Sequence, residues 1–175
     1  MPTPEFILEL RDKVGHAPLW LMGVSGCIVR DDGMLLLEQR ADNGKWALVS
    51  GIVEPGEDPA DTLVREAMEE TGLAIEVTDL VAVKSDHELM TYPNGDRTWY
   101  MDHLFLAQLA DGADDEPRVA DDESTSVGWF APGDLPVPVT ESSVQRIAAV
   151  RDYLRHRAAG NAHAQFTVDG ADRFR

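Results

Sequence analysis

The chain is poor in positive charge, and in lysine above all. Its 175 residues hold 15 Lys and Arg against 32 Asp and Glu, a formal net charge of −17, and the lysines are Lys13, Lys45 and Lys84 alone. A nucleic-acid groove needs a basic patch to neutralise phosphates, so no nucleic-acid partner is expected. A small anionic substrate is still allowed, because bound cations can invert the field locally. Cysteine is nearly absent too: Cys27 stands alone in an apolar run. It cannot form an internal disulfide, which points to a reducing, cytoplasmic setting. No apolar run approaches the roughly 18 residues that cross a bilayer, so no membrane partner is expected. The start, MPTPEFILELRDKVG, lacks the basic segment and apolar core of a secretory signal. What is present is a 19.3 kDa chain with 43% hydrophobic residues, the size and composition of one globular domain with a substantial core.

Hydrophobic patterning divides the chain into strands and helices. Residues 4–14 read as a short helix with Phe6, Ile7, Leu10 and Val14 on one side. LWLMGVSGCIV (19–29) is apolar on both faces, as a buried central strand is. MLLLEQR (34–40) is a second strand, and Trp46 to Val49 a short extended piece. Residues 74–91 contain β-branched stretches, and YPNGD marks a hairpin turn through Asn94-Gly95, with 97–109 as the partner strand. A charged loop (111–123) precedes a last strand at 126–132. Thr140 caps a helix of about 140–158, with Val144, Ile147, Ala148 and Leu154 inward. Arg155 and Arg157 sit near that helix's negative end. This pattern implies a single domain over 1–159, built as an α+β, three-layer α/β/α sandwich around a mixed sheet. A tail with sparse apolar residues (160–175) follows it, mobile or docked on a partner.

One stretch is unusual. GIVEPGEDPADTLVREAMEETGL (51–73) holds seven carboxylates, and Glu66, Glu69 and Glu70 crowd within five positions. Asp58 suits a helix N-cap, Pro59 the first helical position, Asp61 the third residue of an approximate capping box, and Gly72 the left-handed C-terminal position. At about 100° per residue, Ala60, Leu63, Val64, Ala67 and Thr71 form an apolar stripe, bordered by Glu66, Glu69 and Glu70. Like charges so placed repel, and desolvation adds to the cost. Arg65 supplies one compensating charge; a hard divalent cation with oxygen ligands is the natural remainder.

This stretch resembles the Nudix box position by position: Gly51, five residues, Glu57, seven residues, Arg65-Glu66, an aliphatic at 67, Glu69-Glu70, Gly72 and an aliphatic at 73. A looser similarity runs from about Leu19 to Pro136. The resemblance implies the three-layer fold and a Mg²⁺- or Mn²⁺-dependent pyrophosphohydrolase acting on a nucleoside diphosphate linked to another moiety. A pyrophosphate is polyanionic, so attack by water needs its charge neutralised and the reacting groups held in line. On this resemblance Glu66 and Glu70 are the main metal ligands, and Glu69 is a further ligand or orients the attacking water. Glu57 and Arg65 brace loop and helix, with Glu57 an occasional ligand. Gly51 provides a turn, and the Ser50 carbonyl is a ligand. Many relatives have two glycines where this chain has Ser50-Gly51. A further carboxylate, acting as base or ligand, comes from the loop that offers Asp121, Asp122 and Glu123; Glu123 is chosen. Many relatives are homodimers, which makes a homodimer the expected assembly.

Other residues have two readings each. Arg40 either holds a substrate phosphate or forms a surface ion pair. Tyr92, Trp99 and Tyr100 either stack on a base or belong to the core. His103 reads as an interior histidine. Two alternative functions share the fold: an isoprenoid-diphosphate isomerase, whose catalytic cysteine would have to be Cys27, and a non-catalytic sensor of a nucleotide or sugar. Nucleotide sugars, ADP-ribose and ordinary or oxidised nucleoside triphosphates all stay open as substrates.

Overall fold

The computed structural model describes residues 3–168 and 171–173. The box lies at the seam of a mixed sheet. The central strand β1 (Leu19–Val29) runs parallel to β7 (Arg97–Leu109) in register from Leu19↔Thr98 to Val29↔Gln108. On its other side β1 pairs antiparallel with β4 (Val49–Ile52) through Gly23↔Ile52 to Gly26↔Val49, and with β2 (Leu35–Arg40) at Val29↔Leu35. β2 continues outward to β3 (Trp46–Ala47) and to β8 (Ser124–Phe130). Beyond β7 lie β5 (Ile75–Ser85) and β6 (Met90–Thr91), both antiparallel to it. The hairpin turn between β6 and β7 closes through Tyr92 and Asp96, with Gly95 at φ 88° as the Asn-Gly signal requires.

Two helices cover the sheet, one on each face, as a central sheet with two apolar faces demands. Helix α2 (Pro59–Thr71) packs Leu63 and Ala67 on Val24, Ile28, Leu36, Val49 and Phe105. Helix α3 (Glu141–Ala158) packs Val150 and Tyr153 on Cys27, Leu35, Leu37, Leu48 and Leu104. Alternation along each strand sorts the residues: Val24 and Ile28 face α2, and Cys27 faces α3. Helix α1 (Glu5–Val14) lies apart from both cores, tied down by Arg11, which donates to the Arg97 carbonyl (2.9 Å) and pairs with Asp96 (3.1 Å).

The helix faces differ from those read in the sequence. In α1 Ile7 is buried, but Leu10 and Val14 are exposed. In α2 the buried face is Thr62, Leu63, Glu66, Ala67, Glu70 and Thr71, and Val64 points outward. In α3 Val144 and Leu154 are exposed, and the inner face carries Ser143, Val150 and Tyr153. That face docks by polar anchors: Leu48 N donates to Ser143 Oγ (3.0 Å), Arg146 to Asp102 (2.9 Å) and Tyr153 OH to Asp79 (2.8 Å). The Thr140 side chain accepts from Ser143 N, as an N-cap does. Asp58 occupies the N-cap position of α2 without a side-chain bond, so the capping box expected with Asp61 does not form. The last strand of the main sheet starts and ends two residues earlier than expected. After α3 the chain returns to its own sheet: Gln165 N donates to Val81 O (2.7 Å), and Val83 N to Gln165 O (3.1 Å). Beyond it β9 (Phe166–Val168) and β10 (Ala171–Arg173) form a small antiparallel hairpin. Among the described residues no helix is long and apolar enough to cross a membrane.

Candidate active site

The close approach of α2 to the sheet sets the geometry. Two glycines make room for it. A Cβ on Gly26 would meet Leu63 Cδ1 at 2.5 Å, and one on Gly51 would collide with the Glu66 carboxylate. Gly51 belongs to β4 and lies opposite Val24, and its φ is not positive. It is therefore needed for the nearness of Glu66, and the turn expected there is not its role. Ser50 sits beside it in β4, opposite Ser25.

The box carboxylates are buried more deeply than the sequence suggests. Glu66 has no exposed surface and Glu70 keeps 4%, while Glu69 stays half exposed. Arg65 gathers three of the acids. Its Nε and one terminal nitrogen donate to both oxygens of Glu57 (2.9 and 3.0 Å), and its other terminal nitrogen donates to Glu66 Oε1 (3.0 Å) and Glu69 Oε2 (3.1 Å). Thr62 Oγ1 completes the Glu57 site at 2.7 Å. These hydrogen bonds, those from Arg65 first, hold the Glu57 carboxyl down at about 2. Burial does the opposite to Glu66, pushing it up to about 7 against the opposing charge of Arg65. Glu70 is raised as well, first by burial and then by the neighbouring Glu38 and Glu66.

Glu38 on β2 is a buried acid near the box that the sequence reading did not single out. It accepts a hydrogen bond from Ser124 Oγ (3.1 Å) and lies near enough to Glu70 for its charge to raise that carboxyl. It ends the run Leu35-Leu36-Leu37, where a charged residue reads as the solvated end of a strand. Of the loop acids, Asp121 is the one the cleft places beside the box, and its charge raises both Glu38 and Glu70. Glu123 is not part of that lining; its backbone carbonyl accepts from Ala41 N (2.7 Å). Asp121 Oδ1 accepts from Glu123 N (3.0 Å), so the Asp121 side chain closes a turn within the loop.

The cleft, of about 1120 Å³, is lined by the Glu54–Glu57 loop, Arg65, Met68 and Glu69 of α2, Asp121, and Thr3 to Glu5 at the start of α1. The residues expected to bind substrate lie outside that lining. Arg40 makes a two-point ion pair with Asp42 (3.0 and 2.9 Å), although Glu38 and Glu70 also act on its charge. Tyr92 OH bonds Tyr100 OH (2.7 Å), and Trp99 is partly exposed on β7. His103 Nδ1 is satisfied by the Gly23 carbonyl (3.1 Å), an interior histidine as read. Gly72 adopts the left-handed conformation (φ 69°) that ends α2.

Residues 20–150 match the family model for the Nudix domain. The chain belongs to the Nudix hydrolase family. It is 34% identical over 135 residues to a MutT-like protein of Streptomyces ambofaciens, an alignment covering 77% of this chain and 79% of that one. It is 29% identical to the mouse 8-oxo-dGDP phosphatase NUDT18 over 143 residues, 81% of this chain but 40% of the longer mouse protein. Among solved structures, the MutT Nudix hydrolase from Burkholderia pseudomallei superposes with a TM-score of 0.60 at 32% identity, covering 75% of this chain and 98% of that one. The mixed sheet between helices is thus the Nudix fold.

The family works with divalent metal ions. Among the described residues no three acidic, histidine or cysteine side chains already converge as a cage. The donor chemistry nonetheless fits a hard cation: Glu66 Oε2 and Glu70 Oε2 are buried without a hydrogen-bond partner. Buried carboxylate oxygens are costly unless paired, and a divalent cation with oxygen ligands is the partner they suit. Side chains as long as glutamate can rotate to converge; the missing donors are harder to replace.

Proposed function

We propose that this Nudix protein is a Mg²⁺- or Mn²⁺-dependent pyrophosphohydrolase acting on a nucleoside di- or triphosphate or a nucleoside diphosphate linked to another moiety. The pair of orphaned oxygens on Glu66 and Glu70, beside the Arg65-braced Glu57 and Glu69, carries this reading. Glu66, Glu70 and Glu69 would hold the cation, with Glu57 and the Ser50 carbonyl as further donors; when bound, it neutralises phosphate charge and makes water a better nucleophile. The chain's own residues do the rest. Arg65 fixes the loop before α2 against the helix, which puts Glu57 and Glu69 on the cleft wall, while Glu66 and Glu70 are buried and outside its lining. Asp121, on the cleft wall, takes the proton of the attacking water, and Glu69 on the same wall orients that water. Leu63 and Ala67 under α2 keep water from the carboxylates' inner side.

The geometry disfavours an isomerase. Cys27 is fully buried in the core on the α3 side of the sheet, opposite the box, and burial pushes its thiol up to about 12. Such a thiol is inert. A pure sensor is disfavoured by the complete set of box glutamates. For the substrate, the names of the relatives set the order of a screen: oxidised and ordinary purine nucleoside di- and triphosphates first, then nucleotide sugars and ADP-ribose. The test is hydrolysis of that panel with Mg²⁺, Mn²⁺ or excess EDTA, with products identified by mass spectrometry. Release of a nucleoside monophosphate or diphosphate only when metal is present supports the reading; full turnover in EDTA overturns it.

A further inference from the structure

Strand β2 carries one side chain that core packing does not explain. Leu36 fills the α2-side core, and Leu35 and Leu37 fill the α3-side core. Two residues after Leu36, on the same face, comes Glu38, 3% exposed. Its cross-strand partners are Ala47 and Val127, which offer no side-chain hydrogen bond. Its polar neighbours are Ser124 Oγ and the carboxyl of Glu70. Arg40, the nearby cation, acts on Glu38 through its charge but gives its hydrogen bonds to Asp42. A single buried carboxyl in a strand would be an expensive replacement for the leucine that the run calls for.

The second observation concerns the other carboxyl. Glu70 Oε2 is buried and unpartnered, as is Glu66 Oε2 one helical turn away. Three buried carboxyls, Glu38, Glu66 and Glu70, thus come from two elements, and two of their oxygens have no hydrogen-bond partner. Two carboxylates in contact can both be ionised only with positive charge between them. The Ser124 hydroxyl satisfies one Glu38 oxygen, and a divalent cation would partner the oxygens left over.

We propose that Glu38 is an additional ligand of the divalent cation held by Glu70, joining strand β2 to the box helix in one metal site. This rests on the metal reading of the box and extends it to a residue outside the box. Ser124 then has a positioning role, holding one Glu38 oxygen while the other turns to the cation. A glutamate that only fills space in the strand predicts otherwise: its loss would change stability and leave cation affinity alone.

The test is titration of the full chain with Mn²⁺, free Mn²⁺ being read by electron paramagnetic resonance. Wild type, Glu38→Gln and Glu70→Gln are compared, with folding checked by circular dichroism. Glu38→Gln keeps the size of the side chain and its bond to Ser124, but removes an anionic ligand. Its Mn²⁺ dissociation constant is expected to rise by roughly tenfold or more, the least that disturbing a metal shell does. Its thermal shift with Mg²⁺ should shrink in parallel. Should Glu38→Gln not fold, Glu38→Asp keeps the charge but withdraws it by one methylene, and the same weakening is expected. Mn²⁺ binding by the folded variant within about twofold of wild type, while Glu70→Gln loses it, overturns the assignment of Glu38 alone. Failure of the wild-type chain to bind Mn²⁺ overturns the metal reading of the box as well.

Discussion

At the scale of single residues, Glu66, Glu70 and Gly51 behave differently when changed, because each meets a different physical demand. Glu66→Gln and Glu70→Gln keep size and helix propensity but remove a buried negative ligand. Each should lower kcat by about 10²–10⁴-fold, the span associated with losing a positioned acid or base. Without metal the same variants should melt at or above the wild-type temperature, since they relieve burial of charge beside other carboxyls. Addition of Mg²⁺ should then raise their melting temperature far less than that of wild type. Near-normal rates in both variants would refute the assignment. Gly51→Ala has no such compensation. Its new methyl would occupy the space of the Glu66 carboxylate, in a strand fixed on one side by β1. Overpacking of this kind costs about 1–3 kcal/mol, and the displaced carboxylate should lose cation affinity too. Chemical denaturation with Mn²⁺ titration checks both.

At the scale of elements, the box unit was legible because its residues are contiguous. Glycine, acids and arginine at fixed intervals within residues 51–73 specify the strand, loop and helix together. The other elements show why the remainder was harder to read. The apolar residues Val144 and Leu154 suggested an inward face for α3 but are exposed. Beside the apolar contacts of Ile147 and Val150, the helix docks through polar anchors at Ser143, Arg146 and Tyr153 that hydrophobic periodicity does not detect. Asp121 and Glu123 are chemically equivalent acids in an irregular loop, so the sequence could not say that Asp121 lines the cleft. Glu38 was hidden because strand alternation places it by parity but cannot tell that a helix carboxylate lies opposite. The brace between the Glu57 loop and α2 makes its own prediction. Arg65→Ala removes the counter-charge of three acids at once, leaving Glu66 buried without its ion pair. Breaking a buried pair costs about 3–5 kcal/mol at full burial, and the partial exposure of Arg65 brings the expected loss to roughly 1–3 kcal/mol. Activity should fall with it. A stability loss with unchanged kcat would show that Arg65 braces the fold without aligning the box.

At the scale of the whole molecule, a net charge of −17 and a buried acidic cluster tie stability to pH and to metal. Glu66 is raised from 4.5 to about 7, and Glu38 and Glu70 are raised by burial and by each other. Between 4.5 and those raised values the unfolded chain has released protons that the folded chain retains. The folded state then binds more protons, so its stability falls as pH rises. Glu57 acts in the opposite sense: lowered from 4.5 to about 2, it stabilises the fold above 4.5, and that contribution is lost as pH falls through about 2. The metal-free protein should therefore be most stable near pH 5 and melt roughly 5 °C lower at pH 8. A cation binds the deprotonated carboxyls of the folded chain, so its stabilisation should grow over the same interval. Saturating Mg²⁺ should raise the melting temperature little at pH 5 and most at pH 8, flattening or reversing the metal-free trend. Glu70→Gln separates this cluster from the titration of the other acids, because its metal-free slope between pH 5 and 8 should be shallower than that of wild type. Melting curves at half-unit pH steps, with Mg²⁺ or with EDTA, measure all three slopes. An equal Mg²⁺ shift at pH 5 and pH 8 would mean that the cation binds somewhere other than these buried carboxyls.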